Sequence, residues 1–331
     1  MNQQAPGPPT AAVMEDYRAL SQGTGFVDLS GRSRIELTGS DRSTFLHSFC
    51  TNDIHALTPG TGCEAFILDP KGKTLGHVAV FCHPDRLILD TTRGQATPLI
   101  EHLDRYIIME DVKLEDCSDA RSGLHVCGHQ AHSILTELAE QDLPEALWSH
   151  CEARISGIPI TCQSVAFTPQ PSCLLTIPTE HFAALLASIT ESGLTSCQQA
   201  AWEMYRIESG WPQFGADISE DNLPQEVARD ETAINFNKGC YLGQETVARL
   251  DAMGHVNRRL VCIDCKGTPV LPMETELTHG DKIVGKITSS CYSPKLAGTI
   301  ALGYVQRGLA SPGQPLTIGA EIAEIIQPFG P

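Results

Sequence analysis

The octapeptide K-G-C-Y-L-G-Q-E, which begins at Lys238, places one cysteine in a turn just before a predicted helix. Gly239 and Gly243 allow positive φ or a close approach to a ligand. Cys240 lies just upstream of a helix predicted from Gln244 and two residues from the Lys238 ammonium, and both features favour the thiolate. A thiolate can act as a nucleophile, a redox thiol or a soft metal ligand. The alternative is a small packed side chain.

Other cysteines and histidines give weaker indications of chemistry. Cys262 and Cys265 form a C-x-x-C at the end of a predicted strand, but no second such pair accompanies them, so we predict core thiols. The 12 histidines show no H-x-x-x-H or H-E-x-x-H spacing on a predicted helix. We therefore expect no dedicated metal site.

Helices and strands alternate around the octapeptide, and strands alone follow it. The helix that starts after Cys240 is predicted to end at Gly254, and the clearest helix covers residues 196–209. Residues 63–80 predict a hairpin around a turn rich in Pro and Gly. From Leu260 onward, short strands punctuated by Pro and Gly predict a small β-barrel.

These elements predict an α+β fold with a separate C-terminal barrel. Within the α+β part, residues 144–171 are expected to be irregular with short strands. The predicted division is a disordered tail (residues 1–12), an α+β domain (13–255) and a C-terminal β-barrel (256–331).

Composition excludes several classes of protein. The chain has 331 residues and a net charge of −17, which opposes binding to nucleic acid or to anionic membranes. No apolar run approaches the roughly 18 residues of a membrane span, and the first residues lack the features of a signal peptide. The 13 cysteines, an odd number without framework spacing, indicate free thiols in a reducing compartment. We therefore predict a cytoplasmic protein.

The octapeptide resembles the signature of the YgfZ family, folate-binding proteins of iron–sulfur cluster maintenance that are related to the aminomethyltransferase (T-protein) of the glycine cleavage system. Further segments resemble blocks of the same superfamily in the same order, namely Phe45-Leu46 with Thr51-Asn52-Asp53, residues 205–210 with 215–218, residues 223–226, and residues 282–289. The resemblance implies a GcvT-like folate-binding domain of intertwined α+β subdomains followed by the C-terminal β-barrel.

The resemblance also implies that Cys240 is the catalytic thiol and that tetrahydrofolate is the cofactor. In the superfamily, the glutamate of R-x-E-A-G accepts hydrogen bonds from the pterin, and it corresponds to Glu208 here. A carboxylate suits the paired donors of an aminopyrimidine, whereas the alternative is an exposed carboxylate at a helix C-terminus, which the helix dipole disfavours. The other cofactor-binding residues that we expect are Asn52, Lys238, Tyr241, Gln244 and Arg249. Arg258 and Arg259 lie close in sequence to the motif and could also meet the folate, and for these two residues, as for Tyr241 and Arg249, the alternative is to cap the helix and join the domains.

The chain departs from the aminomethyltransferases where they carry an acidic pair in a G-G-x-x-D-D segment. Gly76 and His77 occupy the acidic positions here, which counts against glycine cleavage activity. His77 is either a general base at neutral pH or a structural side chain.

The resemblance implies a tetrahydrofolate-binding protein that supports assembly or repair of iron–sulfur clusters in other enzymes. Its partners would be folate and iron–sulfur client or assembly proteins. One thiolate cannot hold a cluster, which generally takes four ligands, so any contact with a cluster would be transient or shared. The alternatives are a folate-dependent one-carbon transferase of the aminomethyltransferase or demethylase type, and a scaffold with a vestigial folate site.

Overall fold

The computed structural model describes residues 8–170 and 172–329. Of the predicted tail, residues 1–7 lie outside the described residues. The first helix begins at Ala11, inside the segment predicted as a tail, and the Thr10 hydroxyl caps it by accepting a hydrogen bond from the Val13 backbone N–H (3.3 Å). The helices are α1 (Ala11–Ser21), α2 (Arg42–His47), α3 (Ala96–Asp104), α4 (Ala131–Ala139), α5 (Phe182–Glu191), α6 (Gln199–Glu208), α7 (Asp230–Ala233) and α8 (Gln244–Met253).

The strands precede, separate and follow these helices. They are β1 (Thr24–Asp28), β2 (Ser33–Thr38), β3 (Gly62–Leu68), β4 (Thr74–Cys82), β5 (Leu87–Thr91), β6 (Lys113–Asp116), β7 (Arg121–Gly128), β8 (His150–Ile155), β9 (Ile158–Val165), β10 (Ser172–Pro178), β11 (Thr195–Ser196), β12 (Arg258–Cys265), β13 (Glu276–His279), β14 (Lys282–Ser293), β15 (Gly298–Gln306), β16 (Pro315–Ile318) and β17 (Glu321–Ile326).

Two open sheets are interleaved along the chain. The first sheet has the order β11-β1-β7-β10-β9-β8, and the second has the order β3-β4-β5-β2-β6. The chain leaves the first sheet after β1, builds the whole second sheet, and returns at β7. The predicted hairpin is β3 and β4 of the second sheet. This interleaving confirms the expected intertwined α+β subdomains.

Each open sheet buries an apolar face against helices. The first sheet packs α4 and α5 on one face and α1 and α6 on the other, because its strands alternate side chains between two apolar clusters. The second sheet packs against α2 and α3. Helix α6 is the helix predicted at residues 196–209, and it also contacts β14 and β15. It therefore connects the first sheet with the C-terminal strands.

The C-terminal strands close into the predicted barrel. Their order is β12-β15-β14-β13-β16-β17, with an apolar interior of its own. A larger apolar cluster joins the barrel to the rest of the chain and includes Phe66 of β3, Trp202 of α6, Val247 of α8 and Leu302 of β15. The structure thus confirms an α+β fold followed by a small C-terminal β-barrel.

Candidate functional site

Lys238 fixes the octapeptide to the end of α2. Its ammonium donates hydrogen bonds to the backbone carbonyl oxygens of His47 (2.5 Å), Cys50 (2.7 Å) and Asn52 (2.9 Å). It also lies 4.8 Å from the centre of the Tyr241 ring. Helix-terminal carbonyls lack helical partners, so a cation is favourable there. Burial lowers the pKa of Lys238, and all three donors of an ammonium are used inside the protein.

Cys240 is held on the surface by this arrangement. It is the only exposed thiol among the thirteen cysteines, all of which are free. The next residues are bound to the same support, because the Leu242 backbone N–H donates to the Ser48 carbonyl oxygen (2.9 Å). A Cβ at Gly239 would lie 3.6 Å from Nε2 of His47, which places this imidazole beside the octapeptide backbone.

Helix α8 begins at Gln244 and is followed by Gly254, as the sequence predicts. Gly243 precedes it with a φ of 81°, and a Cβ there would lie only 2.6 Å from the Asp69 carbonyl oxygen. Glycine is therefore required by both conformation and space. The Thr246 hydroxyl donates to the Lys71 carbonyl oxygen (2.9 Å), so the start of α8 is attached to the β3–β4 turn.

Both the nitrogen and the oxygen of the Asn52 side-chain amide form hydrogen bonds within the protein. Its Nδ2 donates to the carbonyl oxygens of Glu64 (2.8 Å) and Thr232 (3.0 Å), and its Oδ1 accepts from the Asp53 backbone N–H (2.8 Å). These bonds join the loop after α2 to β3 and α7. Asn52 thus supports the segment that holds Lys238.

Glu208, at the end of α6, has partners on other elements. It is completely buried, and its carboxylate accepts hydrogen bonds from the Tyr17 hydroxyl (2.6 Å) and the Ser293 hydroxyl, with the Lys295 ammonium 3.8 Å away. Burial and the neighbouring carboxylate raise the pKa of Tyr17 well above its usual value. Its partners lie on α1, at the end of β14 and just after β14, and none of them is among the residues that hold Lys238.

The remaining predicted cofactor residues lie within the octapeptide or farther along α8, at different depths. Tyr241 is buried, and burial raises the pKa of its hydroxyl. Gln244 is half-buried and Arg249 is exposed on α8. Arg258 and Arg259 contact the segment that precedes the barrel, because Nε of Arg258 lies 3.1 Å from a Glu226 carboxylate oxygen and Nη2 of Arg259 lies 3.2 Å from an Asp230 carboxylate oxygen.

A buried charged cluster that the sequence does not reveal lies beside His77. Glu64 accepts two hydrogen bonds from Arg229 (2.6 and 2.8 Å) and lies 2.6 Å from Nε2 of His77. Burial would raise the pKa of Glu64, but Arg229 and His77 outweigh it and hold this pKa well below its usual value. Trp211 covers the cluster, with its ring centre 5.2 Å from that of His77 and 4.7 Å from Cζ of Arg229.

In the Glu64 cluster, His77 has a carboxylate partner that the sequence alone does not indicate. One nitrogen of His77 is held by a carboxylate that is itself paired with an arginine, and the imidazole is buried between the rings of Phe66 and Trp211. The sequence contains one indication of this cluster. Glu64 is a charged residue on β3, and the residues that follow it in this strand, up to Leu68, are all apolar. Its partner Arg229 is 165 residues away in the chain.

A cavity of about 420 Å³ between the β1–β2 turn and α6 is suited to a small organic molecule. Arg32 and Arg93 supply cations, Trp202 forms part of the wall, and Glu203 and Gln213 supply polar groups. The Gln213 amide donates to Glu203 (3.3 Å). A carboxylate can receive the donors of a heterocycle, while arginines bind carboxylates, so the lining fits an aromatic anion.

Two further findings concern metal ions and membranes. In residues 8–170 and 172–329, no group of three or more His, Cys, Asp or Glu side chains is placed to hold a metal ion. None of the helices described is long and apolar enough to cross a membrane.

Comparisons with known proteins support the same architecture. Residues 7–238 match the family described as GCVT N-terminal domain, and residues 258–325 match the family described as glycine cleavage T-protein C-terminal barrel domain. A putative chloroplastic transferase of Arabidopsis thaliana is 28% identical over 314 residues, which cover 94% of this chain and 72% of the relative. An aminomethyltransferase of Synechocystis is 26% identical over 319 residues, covering 93% of this chain and 84% of the relative.

A solved structure shows that the fold is shared over nearly the whole chain. The aminomethyltransferase T of the glycine cleavage system from Bartonella henselae superposes with a TM-score of 0.86 at 20% identity, covering 98% of this chain and 91% of that chain. The two matched domain families confirm the expected relationship to the T-protein. With both domain families matched in order over most of its length, the chain belongs to the glycine cleavage T-protein family.

Proposed function

We propose that this chain is a tetrahydrofolate-binding protein of the YgfZ type that supports assembly or repair of iron–sulfur clusters in other enzymes through Cys240. The observation that carries the proposal is the exposure of Cys240 alone among thirteen cysteines, within an octapeptide bound to α2 through Lys238. The free thiols support a reducing compartment, and we place the protein in the cytoplasm.

Cys240 would act at a surface shared with a client or assembly protein. A surface thiolate can approach a cluster bound to another protein, which a buried thiol cannot. It supplies one of the roughly four ligands that a cluster requires, so the partner supplies the others and the contact is transient. Lys238 and Asn52 would position Cys240 from the two sides of one contact. Lys238 attaches the octapeptide to the segment after α2, and Asn52 fixes that segment to β3.

Tetrahydrofolate would bind in the cavity between the β1–β2 turn and α6. Glu203 would receive the donors of the pterin, and Arg32 and Arg93 would bind the carboxylates of the glutamate tail. The bound cofactor would supply a carrier for one-carbon units. Contact between the pterin and Glu208, which the resemblance implies, would require displacement of the Tyr17 or Ser293 hydroxyl.

Genetic rescue tests the role of the thiol. In a strain that lacks this protein, activity of iron–sulfur enzymes should return with the unaltered chain and with Cys151→Ala, a matched change of a half-buried thiol. Cys240→Ala should fail to restore it, although the protein accumulates to the same level. Full rescue by Cys240→Ala would refute the proposal.

Titration with tetrahydrofolate tests the cofactor and its place. Trp202 lines the cavity, so binding should change tryptophan fluorescence with saturation, and calorimetry should confirm the stoichiometry. Glu203→Gln should weaken binding if the cavity is the site, whereas Glu208→Gln should weaken it if the implied pterin contact is the correct one. No saturable signal in either measurement would remove the folate part of the proposal.

A folate-dependent one-carbon transferase is the second candidate. The names of the relatives, an aminomethyltransferase and a putative transferase, favour it. Against it stand Gly76 and His77 at the acidic positions and the engagement of His77 by Glu64. Formation of methylene-tetrahydrofolate or formaldehyde from an amine donor by the purified protein would establish this candidate.

A further inference from the structure

A second polar cavity lies between the two open sheets. It has a volume of about 20 Å³, and its walls come from β2 and β5 of the second sheet and from β7, β9 and β10 of the first. Three arginines, Arg34, Arg86 and Arg121, line it, and no carboxylate does. The charged lining is therefore entirely cationic.

Nearby carboxylates compensate this charge only in part. Arg34 shares one carboxylate with Arg32, because the two oxygens of Asp90 lie 3.2 Å from Nε of Arg34 and 2.5 Å from Nε of Arg32. Arg86 has three carboxylates near it, Asp85 at 3.1 Å, Glu36 at 3.4 Å and Glu152 at 4.0 Å. Arg121 forms no ion pair within the part of the chain that the structure describes. Arg121 is therefore the lining arginine whose charge no carboxylate pairs.

The other titratable groups in the lining do not supply the missing negative charge. Burial and the neighbouring His150 lower the pKa of His83 to about 3, so its imidazole is neutral at pH 7. Burial raises the pKa of Cys117, which keeps this thiol protonated. The lining groups themselves therefore carry no negative charge, and the charge of Arg121 has no partner among them.

Hydrogen-bond donors are also in excess. Arg34 is almost completely buried, Nη1 donates to the Arg121 carbonyl oxygen (3.0 Å) and Nε faces an Asp90 carboxylate oxygen at 3.2 Å, but Nη2 lacks a hydrogen-bond partner among the described residues. Gln163 accepts a hydrogen bond from the Thr176 hydroxyl at Oε1 (2.8 Å), which leaves its NH₂ group as a further donor. Buried donors without acceptors are strongly unfavourable.

We propose that this cavity binds a small inorganic anion of the size of chloride, held chiefly by Arg34 and Arg121. Its volume is about that needed for one water-sized particle, which excludes phosphate and larger anions from its interior. Because Arg34 belongs to β2 and Arg121 to β7, the anion joins the two open sheets. This site shares no residue with the octapeptide or with the proposed folate cavity.

Crystallography with bromide in place of chloride tests the site directly. An anomalous peak should appear between the guanidinium groups of Arg34 and Arg121. If the electron density at this position showed a water molecule and no halide peak, the proposal would be overturned.

Thermal unfolding tests the same site in solution. At constant ionic strength, replacing gluconate, which is too large to enter, by chloride should raise Tm by roughly 2–4 °C, because a ligand of the folded state stabilises it. Arg121→Gln should abolish this response, Arg121→Lys should retain part of it, and the exposed control Arg105→Gln should retain all of it. Equal Tm values in the two anions for the unaltered protein would also contradict the proposal.

Discussion

Replacement of Lys238 by methionine should destabilise the protein well beyond the loss of one surface charge. Methionine preserves most of the aliphatic stem and removes the ammonium. The three carbonyl oxygens of His47, Cys50 and Asn52 then lose their common donor at a place where the side chain is buried.

The magnitude follows from these three bonds. An acceptor left unsatisfied in the interior costs about 1–3 kcal/mol. Each carbonyl oxygen retains a second lone pair, and the loss of Lys238 also removes the cost of burying an ammonium, for which the lowered pKa of Lys238 is evidence. We therefore take the lower end for each bond and expect a loss of about 3 kcal/mol in the free energy of unfolding.

Urea unfolding of Lys238→Met beside the exposed control Lys71→Met provides the measurement. The control should change the free energy of unfolding by less than about 0.5 kcal/mol, since surface substitutions usually do. Alkylation of Cys240 should also become faster in Lys238→Met, because the octapeptide is then released from α2. If the two variants were equally stable, Lys238 would not hold the octapeptide in solution.

Three further outcomes follow from the structure. Glu64→Gln should lower the free energy of unfolding by about 3–5 kcal/mol because it leaves the Arg229 guanidinium without its charged partner, and a loss below about 1 kcal/mol would contradict the pairing. Brief alkylation of the native protein should modify Cys240 before any other cysteine, as peptide mass spectrometry would show; prior modification of a buried thiol would count against the described exposure. Burial and Arg32 lower the pKa of His125 to about 3, so the unfolded state binds this proton first and the free energy of unfolding should fall as the pH drops from about 6.5 toward 3. In urea unfolding across this range, His125→Gln should reduce the dependence on pH, and an unchanged slope would exclude His125 as its source.

Local signals in the sequence were sufficient for several elements. The start of α8 and its end at Gly254 follow from glycine and helix-cap patterns, and the β3–β4 hairpin follows from two apolar runs around a Pro-Gly turn. Such signals depend only on neighbours in the chain. They therefore predict elements better than they predict contacts.

The β8–β9 hairpin shows where local signals are incomplete. Residues 144–171 are predicted to be irregular with short strands, and the structure has two strands there, β8 and β9, which pair along their length around Ser156 and Gly157, both of which have positive φ. Such a two-residue turn is typical of hairpins. Pro159 conceals the strand pattern, because proline is normally excluded from the interior of a sheet.

Contacts between distant segments account for the site residues that the sequence leaves out. Lys238 is recognisable beside Cys240, but its acceptors lie 186 to 191 residues earlier in the chain. Glu64 and Arg229 likewise become partners only after β3 and the loop that follows α6 have been assembled. Tertiary packing, which no local pattern encodes, decides what these charges do.

The interleaving of the two sheets has a consequence for synthesis on the ribosome. Thr24 of β1 pairs with Gly128 of β7, so 104 residues must be translated before β1 obtains this antiparallel partner. At roughly 5–20 residues per second, the wait is roughly 5–20 s. Every strand of the second sheet emerges during this interval, and we expect that sheet to form first while β1 stays unpaired on its β7 side. A nascent chain stalled after β6 should therefore protect the second sheet from proteolysis and leave the segment around β1 open to cleavage.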